Sequence, residues 1–523
     1  MKLWFVSMEC AGIAEAGGVK NVTYSLCREF ARLNHKVTLF LPVFKCNLWD
    51  YVCDLQDAGE SEVKLCGKTE KIVYKTATYK DANFDIVLVN HPSFAEKEAV
   101  YTYTENEQKC NAECVKGSGH KDALFMDVLF QRAVEAYGKL VQKSNLPEII
   151  HCQDASTATL PGFLNQNKLY KKTKSVVTIH NAGPAYHHEF SSLGEAVWYT
   201  SLSENVLREA LNGNRVEPFL IAAASGAVLT TVSDQYAQEL VNPYNSSVTD
   251  GLAPVFFAKK IDITGITNGF DFERYNPVDK NCSTLPFEFN PEKCELDGKF
   301  KCRKFFIQNI VNTDNYNCRG IKKHGKLECS SDYTREIYFA YHGRIATQKG
   351  ISVLMEAIPA IIQNFPDVRF IIAGQGETRL EMELISLAEK FPGKVTYLNG
   401  YNKVVARLAV AVSDFIVLPS YFEPCGLEDF IAQCYGTVPV AHKTGGLNKI
   451  QDRKTGFLYE NNTKDSLITK ISEVIMTKQL KPLVINKMIK AGSYSVQHEY
   501  HWKNVVQKKY LPFFKEILKN SKI

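Results

Sequence analysis

Short runs in the second half of the chain carry residue types that could hold an anion. Residues 343–350 place two cations, Arg344 and Lys349, directly after a predicted strand. Residues 419–427 place the carboxylate of Glu423 on a turn between a strand and a helix, and a Gly-Gly turn follows one predicted strand later. Cations and helix-terminal amides neutralise the charge that develops on a departing diphosphate, and a carboxylate can hold a sugar hydroxyl. These runs therefore predict a site for a diphosphate leaving group.

The first half of the chain contains a matching Gly-Gly turn. Gly17 and Gly18 open a predicted helix within residues 15–21, as the later pair does within 443–449. Glycine lets backbone N–H groups approach a ligand closely, and a helix N-terminus favours an anion. One such pair is more often a simple tight turn. Two matched copies indicate a ligand held in a cleft between two domains.

Two series of predicted strands and helices position these runs. Most of the strands are apolar on successive residues, as buried parallel strands are. The predicted strands are 3–6, 37–43, 86–90, 149–151, 176–180, 228–232 and 261–266, then 337–341, 368–373, 395–398, 415–418 and 438–441. The predicted helices between them include 19–33, 123–141, 351–363, 379–391 and 427–435. This alternation predicts two doubly wound α/β domains. Residues 279–335 lack it, and we expect part helix and part exposed insertion there.

Composition excludes several classes of protein. A chain of 523 residues with 45% hydrophobic and 23% charged residues is an ordinary globular one. The net charge of +5 comes without a concentrated basic run, so we expect no nucleic-acid partner. No stretch of 18 apolar residues occurs, so we expect no membrane span. The 15 cysteines lack paired spacing, which predicts neither a disulfide framework nor a zinc site but a cytoplasmic protein with free thiols.

At these runs the chain resembles the bacterial glycogen synthases and plant starch synthases, glycosyltransferase family 5. The Glu-Pro-Cys-Gly-Leu run at 423–427 is the most specific part of the match. The ordered set of matching runs is 230–233, 267–269, 275–277, 343–350, 422–427, 435–439 and 443–447. The resemblance implies a GT-B fold, in which two doubly wound Rossmann-like domains face each other across a deep cleft.

The resemblance also implies a division of the chain. Residues 1–275 would form an N-terminal Rossmann-like domain on the acceptor side, the starch synthase catalytic domain. Residues 276–336 would be a linker or insertion, and 337–494 would form the C-terminal domain that binds the nucleotide sugar. Residues 495–523 would return to the N-terminal domain.

Roles for individual residues follow from the resemblance. It places Arg344 and Lys349 on the donor phosphates, Glu423 against the glucose as the essential acid, and Asp122 near the glucose. The remaining donor-binding positions are the loop glycines, an aromatic that stacks on the base and two amides that bind the pyrophosphate: Gly17, Gly18, Tyr401, Gly426 and Leu427. The family needs no metal and no cofactor, and we expect none.

Four positions depart from the family pattern. The family has a lysine where this chain has Glu15, and a histidine where it has Ser156. It has an asparagine at the position of Glu217, and a threonine or an asparagine at the position of Glu428. Lys20 is expected to supply the charge missing at 15. The backbone carbonyl at 156, which the resemblance places near the anomeric carbon, would survive the change. These departures are compatible with a divergent subfamily, a changed donor or a failing enzyme.

The implied activity is retaining transfer of glucose from a nucleotide-glucose to an α-1,4-glucan such as glycogen or starch. ADP-glucose is the expected donor, with UDP-glucose as the alternative. Two other functions stay open: a catalytically weak glucan-binding or regulatory paralogue, and a retaining GT-B transferase with another acceptor. The neighbouring His187 and His188 are expected to be a solvated loop pair and not a metal site.

Overall fold

The computed structural model describes residues 1–316, 318–331 and 333–519, and these form two compact units. Unit 1 consists of Met1–Asn268 together with the residues from Val505 onward. Unit 2 is the continuous segment Gly269–Asn504. Residues 520–523, at the end of the expected returning segment, lie outside the described residues. No helix among those described is both long enough and apolar enough to span a membrane.

Unit 1 is built on a mostly parallel sheet. Its strands are β1 (Lys2–Val6), β2 (Lys36–Pro42), β3 (Val52–Leu65), β4 (Lys68–Tyr79), β5 (Asp85–Asn90), β6 (Ile149–Gln153), β7 (Lys174–Ile179), β8 (Leu211–Asn212), β9 (Arg215–Val216), β10 (Val228–Thr231) and β11 (Ile263–Gly265). The sheet has the order β11-β10-β7-β6-β1-β2-β5-β4-β3, and β8 and β9 form a separate antiparallel pair. The strands from β11 to β5 are parallel, as their continuous apolar sequences predict.

Helices cover the strands of unit 1. They are α1 (Val19–Arg32), α2 (Pro92–Ala95), α3 (Glu105–Cys110), α4 (Ala123–Tyr137), α5 (Leu160–Gln166), α6 (Leu193–Thr200), α7 (Glu204–Glu209), α8 (Pro218–Ala224), α9 (Asp234–Leu240) and α10 (Leu252–Ala258). Single turns of 3-10 helix lie at Lys143–Asn145, Ala155–Thr157, Lys168–Tyr170, Pro243–Asn245 and Ser247–Thr249.

Strands β3 and β4 form an antiparallel hairpin that the sequence pattern did not predict. Their residues are largely polar because this hairpin is the exposed edge of the sheet. Cys66 and Gly67 both have positive φ, 50° and 71°, in the two-residue turn between the strands. Such a turn matches the twist of a hairpin, but Cys-Gly is a weaker sequence signal for it than Asn-Gly.

Unit 2 repeats the parallel architecture in a smaller sheet. Its strands are β12 (Ile321–His324), β13 (Ile337–His342), β14 (Val368–Gly374), β15 (Val395–Gly400), β16 (Phe415–Leu418), β17 (Val438–His442) and β18 (Phe457–Tyr459), in the order β12-β15-β14-β13-β16-β17-β18. Only β12 of these runs antiparallel to its neighbour. Alternate residues of β13 enter separate cores on the two faces, Phe339 on one and Tyr338 on the other. The two doubly wound α/β domains are thus confirmed.

Unit 2 also contains helices before, between and after its strands. They are α11 (Phe272–Tyr275), α12 (Lys280–Ser283), α13 (Asp297–Phe306), α14 (Ile351–Asn364), α15 (Thr378–Lys390), α16 (Lys403–Ala411), α17 (Glu428–Cys434), α18 (Lys464–Leu480), α19 (Pro482–Tyr494) and α20 (Trp502–Val505), and α21 (Leu511–Lys519) belongs to unit 1. Turns of 3-10 helix lie at Thr347–Lys349 and Gly445–Lys449, and π-helical turns lie at Ile307–Val311, Ser495–Glu499 and Val506–Tyr510.

Residues 279–335 contain helix in part, as expected, and helix α13 within them lies in the core. The ammonium of Lys299 is buried and donates to the carbonyls of Ala411 and Tyr435, at 2.6 and 3.0 Å. These carbonyls lie at the C-terminal ends of α16 and α17, where a cation is favoured. The polar composition that predicted exposure therefore reflects a lysine that binds two helix ends inside the unit.

Candidate active site

In unit 2, the runs singled out in the sequence lie at one edge of the sheet. Strands β13, β16 and β17 are neighbours and run parallel, so the loops that follow them leave from the same edge. Ligands of open α/β sheets bind at this edge, outside the carboxyl ends of the strands. The parallel strands thus bring Arg344 and Lys349 to the same edge as Glu423.

Lys349 and Glu423 form a direct ion pair. The Lys349 ammonium lies 2.5 Å from Oε2 of Glu423, and the hydroxyl of Ser420 donates to the same oxygen at 3.1 Å. Burial raises the pKa of the Glu423 carboxyl, but the charges of Lys349 and Lys449 outweigh burial and hold that pKa below its usual value. Glu423 is therefore an ionised carboxylate with a cation beside it.

Arg344 presents an exposed guanidinium on a fixed backbone. Its Nη2 lies 3.5 Å from Oε1 of Gln348, which is too long for a strong hydrogen bond. The hydroxyl of Tyr341 donates to the Arg344 carbonyl at 2.8 Å and holds the main chain. A guanidinium in this state is suited to bidentate contact with phosphate oxygens.

Lys449 organises the two glycine-containing loops, a role that the sequence analysis missed. Its ammonium is buried, lies 2.9 Å from Oδ1 of Asp429, and donates to the carbonyls of Cys425 and Gly426 at 2.5 and 2.9 Å. The Gly446 N–H donates to the Glu423 carbonyl at 2.7 Å. Lys449 was part of the Gly-Gly run in the sequence, but its partners come from another loop and carry no local signal.

The helix that begins at Glu428 follows the Glu-Pro-Cys-Gly-Leu turn. Gly426 has a φ of +72°, and Leu427 precedes the first residue of α17 without a side-chain cap. Glu428, one of the departures, lies with its Oε2 2.6 Å from Nδ1 of His342 at the end of β13. Burial lowers the pKa of His342, but the carboxylate outweighs it, so that pKa is raised. The added negative charge at 428 is thus paired with an imidazolium.

Tyr401 directly follows β15, a strand of the same parallel set. Its side chain is 66% exposed. An aromatic ring that keeps this much surface in water at the ligand-binding edge of a sheet can stack on a planar base.

In unit 1, a buried carboxylate holds the Gly-Gly loop. Oε2 of Glu9 accepts from the N–H of Gly17 at 2.6 Å and from the N–H of Ala16 at 3.2 Å, and Oε1 accepts from the hydroxyl of Tyr101 at 3.2 Å. The Gly17 amide is therefore engaged within the protein. Gly18 caps α1, and no atom lies within 4 Å of where its Cβ would be. Glu9 is a positioning residue that sequence analysis did not identify.

The charge of Glu15 is compensated by a neighbouring lysine. The Lys20 ammonium lies 3.3 Å from one carboxylate oxygen of Glu15, and the other oxygen accepts from the Gly12 N–H at 2.8 Å. The loop therefore carries no uncompensated negative charge at this departure.

Asp122 and Ser156 both lie next to helix α4 of unit 1. Asp122 precedes α4 and pairs with the Lys97 ammonium at 2.7 Å. Ser156 is buried in the turn after β6, and its carbonyl accepts from Nε2 of Gln131 at 3.0 Å. A side-chain amide from α4 thus holds the carbonyl at 156.

His187 and His188 are not a solvated pair, and that expectation is wrong. His187 is buried with Nδ1 2.7 Å from Oε2 of Glu217 and Nε2 2.9 Å from the Ala182 carbonyl. Both ring nitrogens therefore face acceptors, which makes His187 a cation paired with the departure at 217. Glu189 lies close enough to His187 and Glu217 for the three side chains to surround a metal ion. His187 has no lone pair to offer such an ion.

Comparison with known proteins agrees with this geometry. The family model described as the starch synthase catalytic domain matches residues 2–255, and the model described as glycosyl transferases group 1 matches residues 330–491. The glycogen synthase of Thermodesulfovibrio yellowstonii is 28% identical over 541 residues, covering 99% of this chain and 98% of the relative. The glycogen synthase of Mycoplasma mobile is 26% identical and covers 98% of this chain and 99% of its own.

Solved structures show the same fold. The catalytic domain of starch synthase IV from Arabidopsis thaliana, bound to ADP and acarbose, superposes with a TM-score of 0.79 at 23% identity and 99% coverage of both chains. The sucrose-phosphate synthase of Thermosynechococcus elongatus superposes with a TM-score of 0.56 at 14% identity and 98% coverage of both chains. With both family models matched in order and the strand-end loops in place, this chain belongs to the GT-B glycosyltransferases of the bacterial glycogen synthase and plant starch synthase family.

Proposed function

We propose that this protein is a retaining glucosyltransferase that elongates an α-1,4-glucan, glycogen or starch, from ADP-glucose. The observation that carries the proposal is the strand-end arrangement in unit 2, where Arg344 is exposed and Lys349 is paired with an ionised Glu423. The glycogen synthases that match along nearly the whole chain, and the ADP bound to the plant starch synthase, support the substrate class.

In the proposed reaction, the bond between C1 of glucose and the diphosphate oxygen breaks first. Arg344 and Lys349 take up the negative charge that grows on the diphosphate, together with the amides of Gly426 and Leu427. Tyr401 stacks on the base. Because Lys349 would leave Glu423 in part for the phosphate, the carboxylate becomes available to a hydroxyl of the glucosyl group.

The acceptor then completes the transfer. The 4-hydroxyl at the non-reducing end of the glucan attacks C1 from the face that the diphosphate leaves. Its proton passes to the leaving phosphate oxygen, so configuration is retained. The Ser156 carbonyl and Asp122 of unit 1 act on the glucosyl group, the carbonyl beside C1, where positive charge develops.

The departures from the family pattern favour an active enzyme over a decaying paralogue. Three of them are glutamates, and each is paired with a cation: Glu15 with Lys20, Glu217 with His187 and Glu428 with His342. The added negative charges are thus matched by positive ones and are not left isolated. A cytoplasmic location is proposed because the 15 cysteines are free thiols.

One assay tests the proposal. Labelled ADP-glucose and UDP-glucose are each incubated with and without glycogen, using wild type and Glu423→Gln. We expect label in the glucan, more from ADP-glucose, with anomeric configuration retained, and a loss of about 10²-fold or more in the variant. If glucose is transferred to a small acceptor and not to glycogen, the protein is a GT-B transferase with an acceptor other than a glucan. Glucan binding with no transfer from either donor would establish the binding paralogue.

A further inference from the structure

His188 lies in a strained loop that unit 1 holds in place. Its φ is +52°, in the left-handed region that residues with a side chain rarely adopt. Asp154, at the end of β6, has φ +66° and ψ 179°, a combination found almost only in glycine. Such strain persists only where the surroundings over-determine it, and it concentrates at functional sites. Asp154 directly follows β6 and His188 lies in the loop after β7, and loops that follow parallel strands leave from the binding edge of the sheet.

The imidazole of His188 is oriented by a carboxylate from α4. Its Nδ1 lies 2.6 Å from Oδ2 of Asp127, which is buried. Burial lowers the pKa of His188, but Asp127, Asp154 and Glu217 outweigh it and raise that pKa to about 9. His188 is therefore an imidazolium at neutral pH, with both ring nitrogens carrying hydrogen.

The second ring nitrogen of His188 has no hydrogen-bond partner among the residues described. A quarter of the side chain is exposed, so Nε2 is not sealed inside the protein. His187 next to it is different, because both of its nitrogens are engaged. The structure thus holds one N–H of a charged donor ready for a ligand.

The surroundings identify the class of ligand. The carboxyl groups of Asp127, Asp154 and Glu217 all act on His188, and the cation of His187 is paired with the last of them. A phosphate would be repelled there, whereas a neutral hydroxyl can accept from the imidazolium without an added charge. Gln131, one helical turn from Asp127, donates to the Ser156 carbonyl. The His188 imidazole and the Ser156 carbonyl are therefore held by two residues that lie one turn apart on α4.

We propose that His188 donates its Nε2–H to a hydroxyl of the donor's glucosyl group, and that Asp127 is the positioning residue for this contact. The inference rests on the proposed function, which places the Ser156 carbonyl beside C1 of that glucose. It also accounts for a serine at 156, because an imidazole reaches the sugar from another loop.

The test uses the full chain and a set of ADP-glucose analogues, each lacking one hydroxyl. Wild type should discriminate against one analogue by about 10- to 100-fold in kcat/KM, the range of a hydrogen bond from a charged donor. His188→Ala should lose a similar factor with ADP-glucose and should no longer discriminate against that analogue. The kcat/KM of Asp127→Asn with ADP-glucose should lie between those of wild type and His188→Ala, because the amide oxygen still accepts from Nδ1. His498→Ala, a change at a half-exposed histidine of unit 2 paired with Glu292, is the control.

A structural role and a failed function give different results. If His188→Ala stays folded and keeps the full pattern of discrimination, the proposal is overturned. Equilibrium titration compares ADP-glucose with ADP on wild type and His188→Ala, and does not require turnover. If the glucosyl group adds the same binding affinity in both proteins, the proposal is also overturned, even if no glucan is made. If wild type binds ADP-glucose but transfers nothing, the proposed function fails while the contact is still measured. Absence of binding overturns both.

Discussion

Arg344 and Lys349 are two cations held in different ways. Lys349 is bound to Glu423, whereas Arg344 is exposed and weakly held by its neighbours. Lysine acts as a point charge, and arginine offers a planar fork that matches two phosphate oxygens. The two residues should therefore contribute separately to stabilising a departing diphosphate.

Arg344→Ala and Lys349→Ala should each lower kcat by about 10²–10³-fold, or roughly 3–4 kcal/mol of transition-state stabilisation. Lys349→Ala should also raise the pKa of Glu423, since the main opposing charge is removed. Steady-state kinetics with ADP-glucose and glycogen measure the loss. Arg379→Ala, which removes an exposed arginine paired with Glu383 on α15, is the control. Near-normal turnover in both active-site variants would remove the two residues from the diphosphate site.

At the scale of elements, the buried pair of Lys449 and Asp429 connects the turn before α17 to the loop after β17. The lysine binds carbonyls of the turn, and its partner Asp429 is fully buried. Burial raises the pKa of Asp429 to about 6, and Lys449 opposes the rise. The geometry of Glu423 therefore depends on a charge pair that is buried beneath its turn.

Lys449→Ala should lower the free energy of unfolding by about 3–5 kcal/mol, because it leaves a buried charge uncompensated. A protein that holds an acid whose pKa is raised by folding loses stability as the pH rises from the pKa of the unfolded state to that of the folded state. Without Lys449 the folded pKa of Asp429 rises further, so this loss extends to higher pH. Urea unfolding should show a larger deficit at pH 8 than at pH 5. The double variant Lys449→Ala/Asp429→Ala should recover part of the stability, and an equal deficit at both pH values would contradict the mechanism.

Two glycines in corresponding turns should respond differently to alanine. A Cβ on Gly446 would lie 2.1 Å from the Cys425 carbonyl, whereas a Cβ on Gly18 would have no neighbour within 4 Å. Gly446→Ala should cost about 1–3 kcal/mol of stability and displace the Glu423 turn. Gly18→Ala should change the melting temperature little, since its backbone is already helical at φ −79°. Thermal unfolding of both variants checks this, and equal tolerance would show that the later loop is not packed as described.

At the scale of the whole molecule, three of the four departures from the family pattern are glutamates paired with cations, two in unit 1 and one in unit 2. Each partner comes from a different position in the chain, 30 residues away for His187 and Glu217 and 86 for His342 and Glu428. The glutamates at these positions are therefore compensated charges and not isolated ones.

A double-mutant cycle tests the pairing. Glu217→Asn should destabilise the protein because the buried His187 cation would lose the carboxylate that its Nδ1 faces. The double variant His187→Gln/Glu217→Asn should be more stable than the sum of the single changes, with a coupling of about 0.5–3 kcal/mol. Chemical unfolding of the four proteins gives the coupling, and strictly additive effects would mean that the two changes are unrelated.

What could be predicted from the sequence divides along the same lines. Continuous apolar runs located most of the parallel strands, and placed Arg344 and Glu423 in loops that follow strands, because these features are local. The edge hairpin β3–β4 was missed since its residues are polar. The contact of His188 with Asp127 joins residues 61 apart, and that of Lys449 with Asp429 joins the turn after β17 to helix α17. Neither has a pattern along the chain, and both depend on which strands are neighbours.

The division of the chain into one continuous and one discontinuous unit has a consequence for synthesis on the ribosome. Unit 2 is a single stretch, Gly269–Asn504, and has its whole sequence once that stretch has emerged. Unit 1 comes first in the chain but needs α21, where Phe514 is fully buried and stacks on Phe30 of α1 at 5.2 Å. The first unit to be translated is therefore the last to complete its core. Until α21 arrives, the apolar face of α1 around Phe30 stays open to chaperones.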